Sequence, residues 1–302
     1  MTGGLSAMVA GAIAEAPIRR EPFPHIIVGP LLPTDLYEQV RQAIPDRASL
    51  EQVEYPGTGF GRRNRRYHDH GLAYRDLARA TGPLEAIASL FSSDEFTDAL
   101  LTKFAAPLDD GFLPIPEAKH RFFADGADDY TSVFDLQVDL PGYAIAPHRD
   151  VDEKIVTYQL YLTPDDSLAE FGTLLCRPKD ARAQRGRRRS VAAVGEWVDR
   201  LPAESRVHRR IERSRLGRVL GVGSNRVWLP WSWFTVDAIA YATPNSLLAF
   251  APNERSFHAV DLRIPRESPV QQREVVRGFI RTGGNTTNWI TPHRAEHKGV
   301  RR

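Results

Sequence analysis

The 302-residue chain has a single cysteine, Cys176. No disulfide can form within it, and a reducing compartment, the cytoplasm, is the simple inference. It has no run of about 18 apolar residues, so no membrane partner reached through a spanning helix is expected. It also lacks an excess of either charge. Forty Lys/Arg stand against 38 Asp/Glu, and a formal net charge of +2 gives no reason by itself to expect nucleic acid. No short repeat recurs, which argues against a solenoid or propeller. No basic stretch precedes the small and apolar residues of 1–17. Residues 1–20 therefore read as a flexible tail or a short helix rather than a signal peptide.

What is present fits an ordinary globular protein. The composition is 42% hydrophobic and 26% charged, enough for a sizeable core in one large domain or two small ones. Residues 22–28 read as an opening strand. Thr34 is placed to cap a helix carrying Leu36, Val40 and Ile44. Helical spacing returns over 72–106, in Leu84, Ile87 and Leu90 and in Leu100, Leu101 and Phe104, before a loop over 109–116. The pattern then changes to short strands at 132–140, 155–162, 234–241, 246–250 and 274–280, separated by turn residues. Helices in the N-terminal half and a sandwich or barrel of strands after them give a mainly β protein in one continuous domain.

Among these strands, a single short motif carries chemistry. His148-Arg149-Asp150 puts an imidazole and a carboxylate on the same side of an extended segment, because side chains alternate along a strand. Two imidazoles and a carboxylate bind iron(II) facially and leave open positions for other ligands. The third ligand comes from another strand at any sequence distance. His258, after the strand at 246–250 and a polar turn, fits that role.

The surroundings of these residues resemble a known family. Leu140-Pro141-Gly142 through His148-Arg149-Asp150, the Tyr158–Thr163 strand, Phe171-Gly172-Thr173-Leu174-Leu175, Pro244–Phe250 and Ser256–Val260 follow one another in the chain. In that order they are similar to the motifs of iron(II)/2-oxoglutarate-dependent oxygenases of the prolyl-hydroxylase-like group. The resemblance covers roughly 132–175 and 240–281, is loose over 20–45, and does not extend to 177–235. It implies a double-stranded β-helix (jelly-roll, cupin-like) core at 130–176 and 234–290, helical support over 21–125 and a basic insertion at 177–233, all in one domain spanning 21–302. It implies Fe(II) held by His148, Asp150 and His258, with 2-oxoglutarate and O2 as co-substrates. A cation on the strand after the distal histidine is expected to hold the far carboxylate of 2-oxoglutarate; Arg273 is the first choice and Arg277 the second. Tyr161 is expected to contact the same carboxylate, with Thr157 and Gln159 on its face. The implied reaction is oxidative decarboxylation of 2-oxoglutarate coupled to hydroxylation of an unactivated C–H. Related halogenases replace the carboxylate with a small residue, so Asp150 disfavours halogenation.

The expected substrate is a small molecule, anionic or carrier-bound, such as a free or carrier-bound amino acid in a biosynthetic pathway. A protein side chain is the alternative target, and a non-catalytic β-barrel binding module is the alternative from outside catalysis. Three further features have two readings each. His68-Asp69-His70, after an arginine-rich stretch read as a polar loop, is either a solvated loop or a second metal site. Trp228, Trp231 and Trp233 either pack on the barrel or wall a substrate site. Residues 177–218 hold fourteen Lys/Arg and five Asp/Glu, which leaves the rest of the chain at −7. They form either a solvated insertion or a docking surface for an acidic partner. Their one aromatic, Trp197, argues against stacking on single-stranded nucleic acid.

Overall fold

In the computed structural model, the described residues are 2–46, 51–54, 63–68, 82–109, 130–150, 154–180, 183, 229 and 231–282. The chain opens with a helix, α1 (Thr2–Glu15), not with a flexible tail. Val9 and Ile13 of α1 are fully buried, and the helix packs against α4 (Asp94–Asp109), whose Lys103 ammonium donates to the Ala14 carbonyl at 2.6 Å. β1 (His25–Val28) leads to α2 (Thr34–Gln42), where Pro33 and not Thr34 occupies the cap position, with no side-chain cap. Thr34 is the first helical residue, one step from where the sequence placed it. α3 (Pro83–Phe91) carries Leu84, Ile87 and Leu90 on its buried face. Ser93 caps α4 by accepting from the Phe96 amide at 3.2 Å.

The rest of the described chain is mostly antiparallel sheet. The remaining strands are β2 (Glu51–Glu54), β3 (Arg63–His68), β4 (Tyr130–Asp139), β5 (Ala144–His148), β6 (Lys154–Tyr161), β7 (Thr173–Pro178), β8 (Phe234–Ala240), β9 (Ser246–Phe250), β10 (Phe257–Asp261) and β11 (Arg273–Thr282). A seven-stranded sheet runs β1-β9-β6-β11-β4-β3-β2, and a four-stranded sheet runs β5-β10-β7-β8. The arginine-rich stretch expected as a polar loop is therefore strand β3, paired with β2 and β4. Backbone pairing has overridden its poor local strand propensity.

The large sheet is covered on both faces. Its back, with Val156, Tyr158, Leu160, Leu247, Ala249, Val276 and Ile280, packs on the helices in one apolar cluster. Tyr158 stacks on Phe91 at 5.2 Å and meets the edge of Phe96 at 5.1 Å. Across the ladder from Tyr158 is Gly278, where an added Cβ would stand 2.2 Å from Tyr158 Cζ. Only glycine leaves room for that ring. The front of the sheet faces the four-stranded sheet, with Tyr161, Leu248, Phe250 and Val275 meeting Leu175 and Ala240. Asn245, at φ +59, ends the turn before β9 in the left-handed region that asparagine tolerates. Its side chain bonds both backbone groups of Leu32, at 2.9 and 2.7 Å, and so ties the β1–α2 connection to the sheet.

The other face of the small sheet carries Cys176, Phe257 and Ala259 against Phe234 and Leu229, with Trp231 and Trp233 partly buried on them. These two tryptophans pack on the outside of the small sheet; Trp228 lies outside the described residues. Burial pushes the Cys176 thiol up to about 12. A thiol with almost no thiolate is inert, so alkylating reagents at pH 8 should label Cys176 only after denaturation; labelling of the native protein at the rate of a free thiol would contradict this burial.

Of the remaining expectations, Asp69-His70 and most of 177–218 lie outside the described residues. Arg177 does not: its guanidinium bridges Glu21, at 2.7 Å, and Asp237 on the surface. No helix among the described residues is long and apolar enough to cross a membrane.

Candidate metal and co-substrate site

His148 is the last residue of β5 and His258 the second of β10. The two are paired in register, so their rings stand side by side with centroids 4.3 Å apart. Asp150 follows two residues after His148. One ligand atom from each of the three lies within 4.8 Å of those of the other two. The three side chains that the sequence singles out are thus brought together by the fold.

Each histidine is oriented by its own strand. His148 Nδ1 is 3.0 Å from the Ala146 carbonyl, and His258 Nδ1 is 3.0 Å from the Ser256 carbonyl. A carbonyl can only accept, so each Nδ1 carries a proton, and in the neutral ring each Nε2 presents a lone pair. That is the tautomer a metal requires, fixed by outer-shell bonds of the usual kind. Asp150 is held just as closely. Its Oδ2 accepts from Thr157 Oγ1 at 2.7 Å and lies 3.8 Å from His258 Nε2, while its Oδ1 takes the Lys154 ammonium at 2.6 Å. Among the described residues, no other group of three His, Cys, Asp or Glu converges in this way.

The three residues line a cavity between the sheets, about 570 Å³ with the open solvent at its mouth included. Its walls include Ile145, Leu248, Phe250 and Val260, with Gln137, Gln159, Thr173, Arg273 and Arg277 as polar groups. The inward face of β4 is polar: Asp135, Gln137 and Asp139 are buried there. The alternation read in 132–140 is real, but its polar side faces the cavity.

Strand register orders these groups by depth. On β11, Phe279 lies opposite Thr157 at the level of Asp150. Arg277 lies opposite Gln159, Val275 opposite Tyr161, and Arg273 opposite Asp139. At about 3.4 Å per residue, the backbone of Arg277 is about 7 Å below the Thr157 rung and that of Arg273 about 20 Å below it. Arg273 is 1% exposed and closes the floor. Its Nε and Nη2 donate to Asp139 Oδ2 at 3.1 and 2.6 Å, and its Nη1 donates to the Phe171 carbonyl at 2.6 Å. Gln137 donates to the other oxygen of Asp139. Arg277 Nη2 lies 3.4 Å from Asp135 Oδ2, and among the described residues the buried Nε2 of its neighbour Gln159 has no hydrogen-bond partner.

Tyr161 is fully buried, and its hydroxyl is already engaged. It donates to Thr173 Oγ1 at 2.9 Å or the Ala240 carbonyl at 3.2 Å, and accepts from the Thr173 amide at 2.9 Å. Burial pushes this phenol up from its ordinary range, although the Arg273 guanidinium opposes that. Sequence reasoning misses Lys154. The available signal is a lysine four residues after Asp150, opening a strand whose other residues carry no charge.

No family model matches the chain, and no curated protein matches it. Among solved structures it is similar to a prolyl-4-hydroxylase from Pseudomonas putida, with TM-score 0.39 and 13% identity over 92% of this chain and 98% of that one. It is also similar to the Fe(II)/α-ketoglutarate-dependent dioxygenase TqaL, with TM-score 0.44 and 10% identity over 97% and 92% of the two chains. A third is EvdO2 from Micromonospora carbonacea var. aurantiaca, in complex with 2-oxoglutarate, with TM-score 0.41 and 12% identity over 89% of each chain.

Proposed function

We propose that this chain is an iron(II)- and 2-oxoglutarate-dependent dioxygenase that hydroxylates an unactivated C–H bond of a small molecule. The carrying observation is the convergence of His148, Asp150 and His258, with both imidazoles turned by a bond from Nδ1 to a backbone carbonyl. A donor set of two imidazole nitrogens and one carboxylate oxygen with open positions suits iron(II). On this reading the two sheets are the halves of a double-stranded β-helix, with the ligands at its open end.

The residues divide the work by depth. His148 Nε2, Asp150 Oδ2 and His258 Nε2 hold the metal, which when bound supplies the oxidising power through O2 and decarboxylation of 2-oxoglutarate. Thr157 is an orienter of Asp150 rather than a co-substrate ligand. The far carboxylate of 2-oxoglutarate falls to Arg277. Extended, a five-carbon diacid with C–C bonds of about 1.5 Å has its carboxyl carbons about 5 Å apart, which reaches one rung and not three. The unused Gln159 Nε2 beside Arg277 is a donor suited to the same carboxylate. Arg273, first choice from sequence, is the floor of the cavity, already neutralised by Asp139. Leu248, Phe250 and Val260 keep water from the reacting end. A cavity between two sheets suits a small molecule, and a free or carrier-bound amino acid is the class to try first.

The test is turnover. Protein supplied with Fe(II), 2-oxoglutarate and O2 should release succinate, faster when an amino-acid panel contains the substrate. No succinate with any candidate, together with no 2-oxoglutarate binding, would refute the assignment.

A further inference from the structure

Lys154 is a buried cation in contact with a proposed metal ligand, an arrangement that works against a dication. Its side chain is 9% exposed and that of Asp150 is 3%. Its Nζ bonds Asp150 Oδ1 at 2.6 Å and lies 4.5 Å from the centroid of the Phe279 ring. Partnered on two sides, the ammonium has a defined place. An irregularity in the β6–β11 register between Ile280 and Arg281 sets Lys154 opposite Arg281. The two oxygens of Asp150 therefore differ. Oδ2 is on the histidine side and accepts from Thr157; Oδ1 is held by Lys154.

Resting on the metal site proposed above, we infer that Lys154 is a positioning residue that restricts Asp150 to ligation through Oδ2 alone. The consequence is a matter of counting. Three protein ligands of one atom each leave three of six octahedral positions open, the number that a two-atom chelating co-substrate and O2 need together. A carboxylate gripping with both oxygens leaves two. The ammonium has a second effect of known sign. It repels a dication and attracts an anionic co-substrate, so it weakens the first and strengthens the second. A residue that merely packs would not separate these two affinities.

The experiment uses Mn(II), which is redox-silent, with wild type, Lys154→Met, Lys154→Gln and Lys154→Arg. Three quantities are read: Mn(II) affinity, 2-oxoglutarate affinity of the Mn(II)-loaded protein, and water-proton relaxivity of bound Mn(II), which counts coordinated waters. In the Met and Gln variants Mn(II) should bind equally or more tightly, and 2-oxoglutarate about tenfold more weakly. Relaxivity should fall by about a third as one of three open positions closes. Lys154→Arg, which keeps the charge and a donor, should stay close to wild type. Unchanged relaxivity in both neutral variants overturns the inference, as does a parallel loss of both affinities. Wild type that binds no Mn(II) overturns instead the metal site on which the inference stands.

Discussion

Replacing either His148 or His258 by alanine should abolish metal binding while leaving a folded protein. Losing an outer-shell partner of a metal ligand typically costs 10–100-fold in affinity, so losing one of three direct ligands should cost more than about a hundredfold. Both imidazoles are buried in the wall of a cavity, and the bond that fixes each ring is local, to a backbone carbonyl two residues earlier. The Tyr37 hydroxyl is a contrast: from α2 it donates to the Thr163 carbonyl at 2.5 Å and so holds two distant segments together. Calorimetric titration of Mn(II) and thermal unfolding of the same samples separate the two quantities. Variants that bind Mn(II) like wild type would show that the ligand assignment is wrong. Variants that lose binding only because they unfold would show the histidines to be structural.

The second large effect separates the two arginines of β11. Arg277→Met should weaken 2-oxoglutarate binding by about ten- to a hundredfold, the worth of a hydrogen bond to a charged group at about 1.5–3 kcal/mol. It should change unfolding less than the loss of Arg273, since the Arg277–Asp135 pair is longer and more exposed than the Arg273–Asp139 pair. Arg273→Met should do the reverse. Asp139 is fully buried and would lose its ion pair, and breaking such a pair from one side typically costs about 3–5 kcal/mol. Denaturant unfolding and 2-oxoglutarate titration of both variants check the pair of expectations. If Arg273→Met folds normally and loses 2-oxoglutarate while Arg277→Met keeps it, the ordering by depth along β11 is wrong.

The proposed ligand set is legible in the sequence because its core is local. Two residues apart on an extended segment means one face, whatever the fold, and His258 needs only a strand and a turn before it. The proposed co-substrate cation is not legible to the same degree. Arg273 and Arg277 share a face of one strand, and what separates them is their partners on β4 and β6, Asp139 for one and Gln159 for the other. Those pairings are long-range. The polar face of β4 shows the same limit: alternation tells that two faces differ, not which one meets water. The sequence leaves residues 1–20 between a tail and a short helix because their glycines and alanines carry little periodicity, yet Val9 and Ile13 are enough to dock α1 on α4. The strand β3 reads as a loop because its residue types favour one, and only its pairing with β2 and β4 makes it a strand.

The most direct test is a crystal structure of the protein with Mn(II) and N-oxalylglycine, an unreactive analogue of 2-oxoglutarate. The expected result is one metal ion bound by His148 Nε2, Asp150 Oδ2 and His258 Nε2, with the far carboxylate of the analogue on Arg277 and Gln159. A metal bound elsewhere, or an analogue whose carboxylate displaces Asp139 from Arg273, would contradict it.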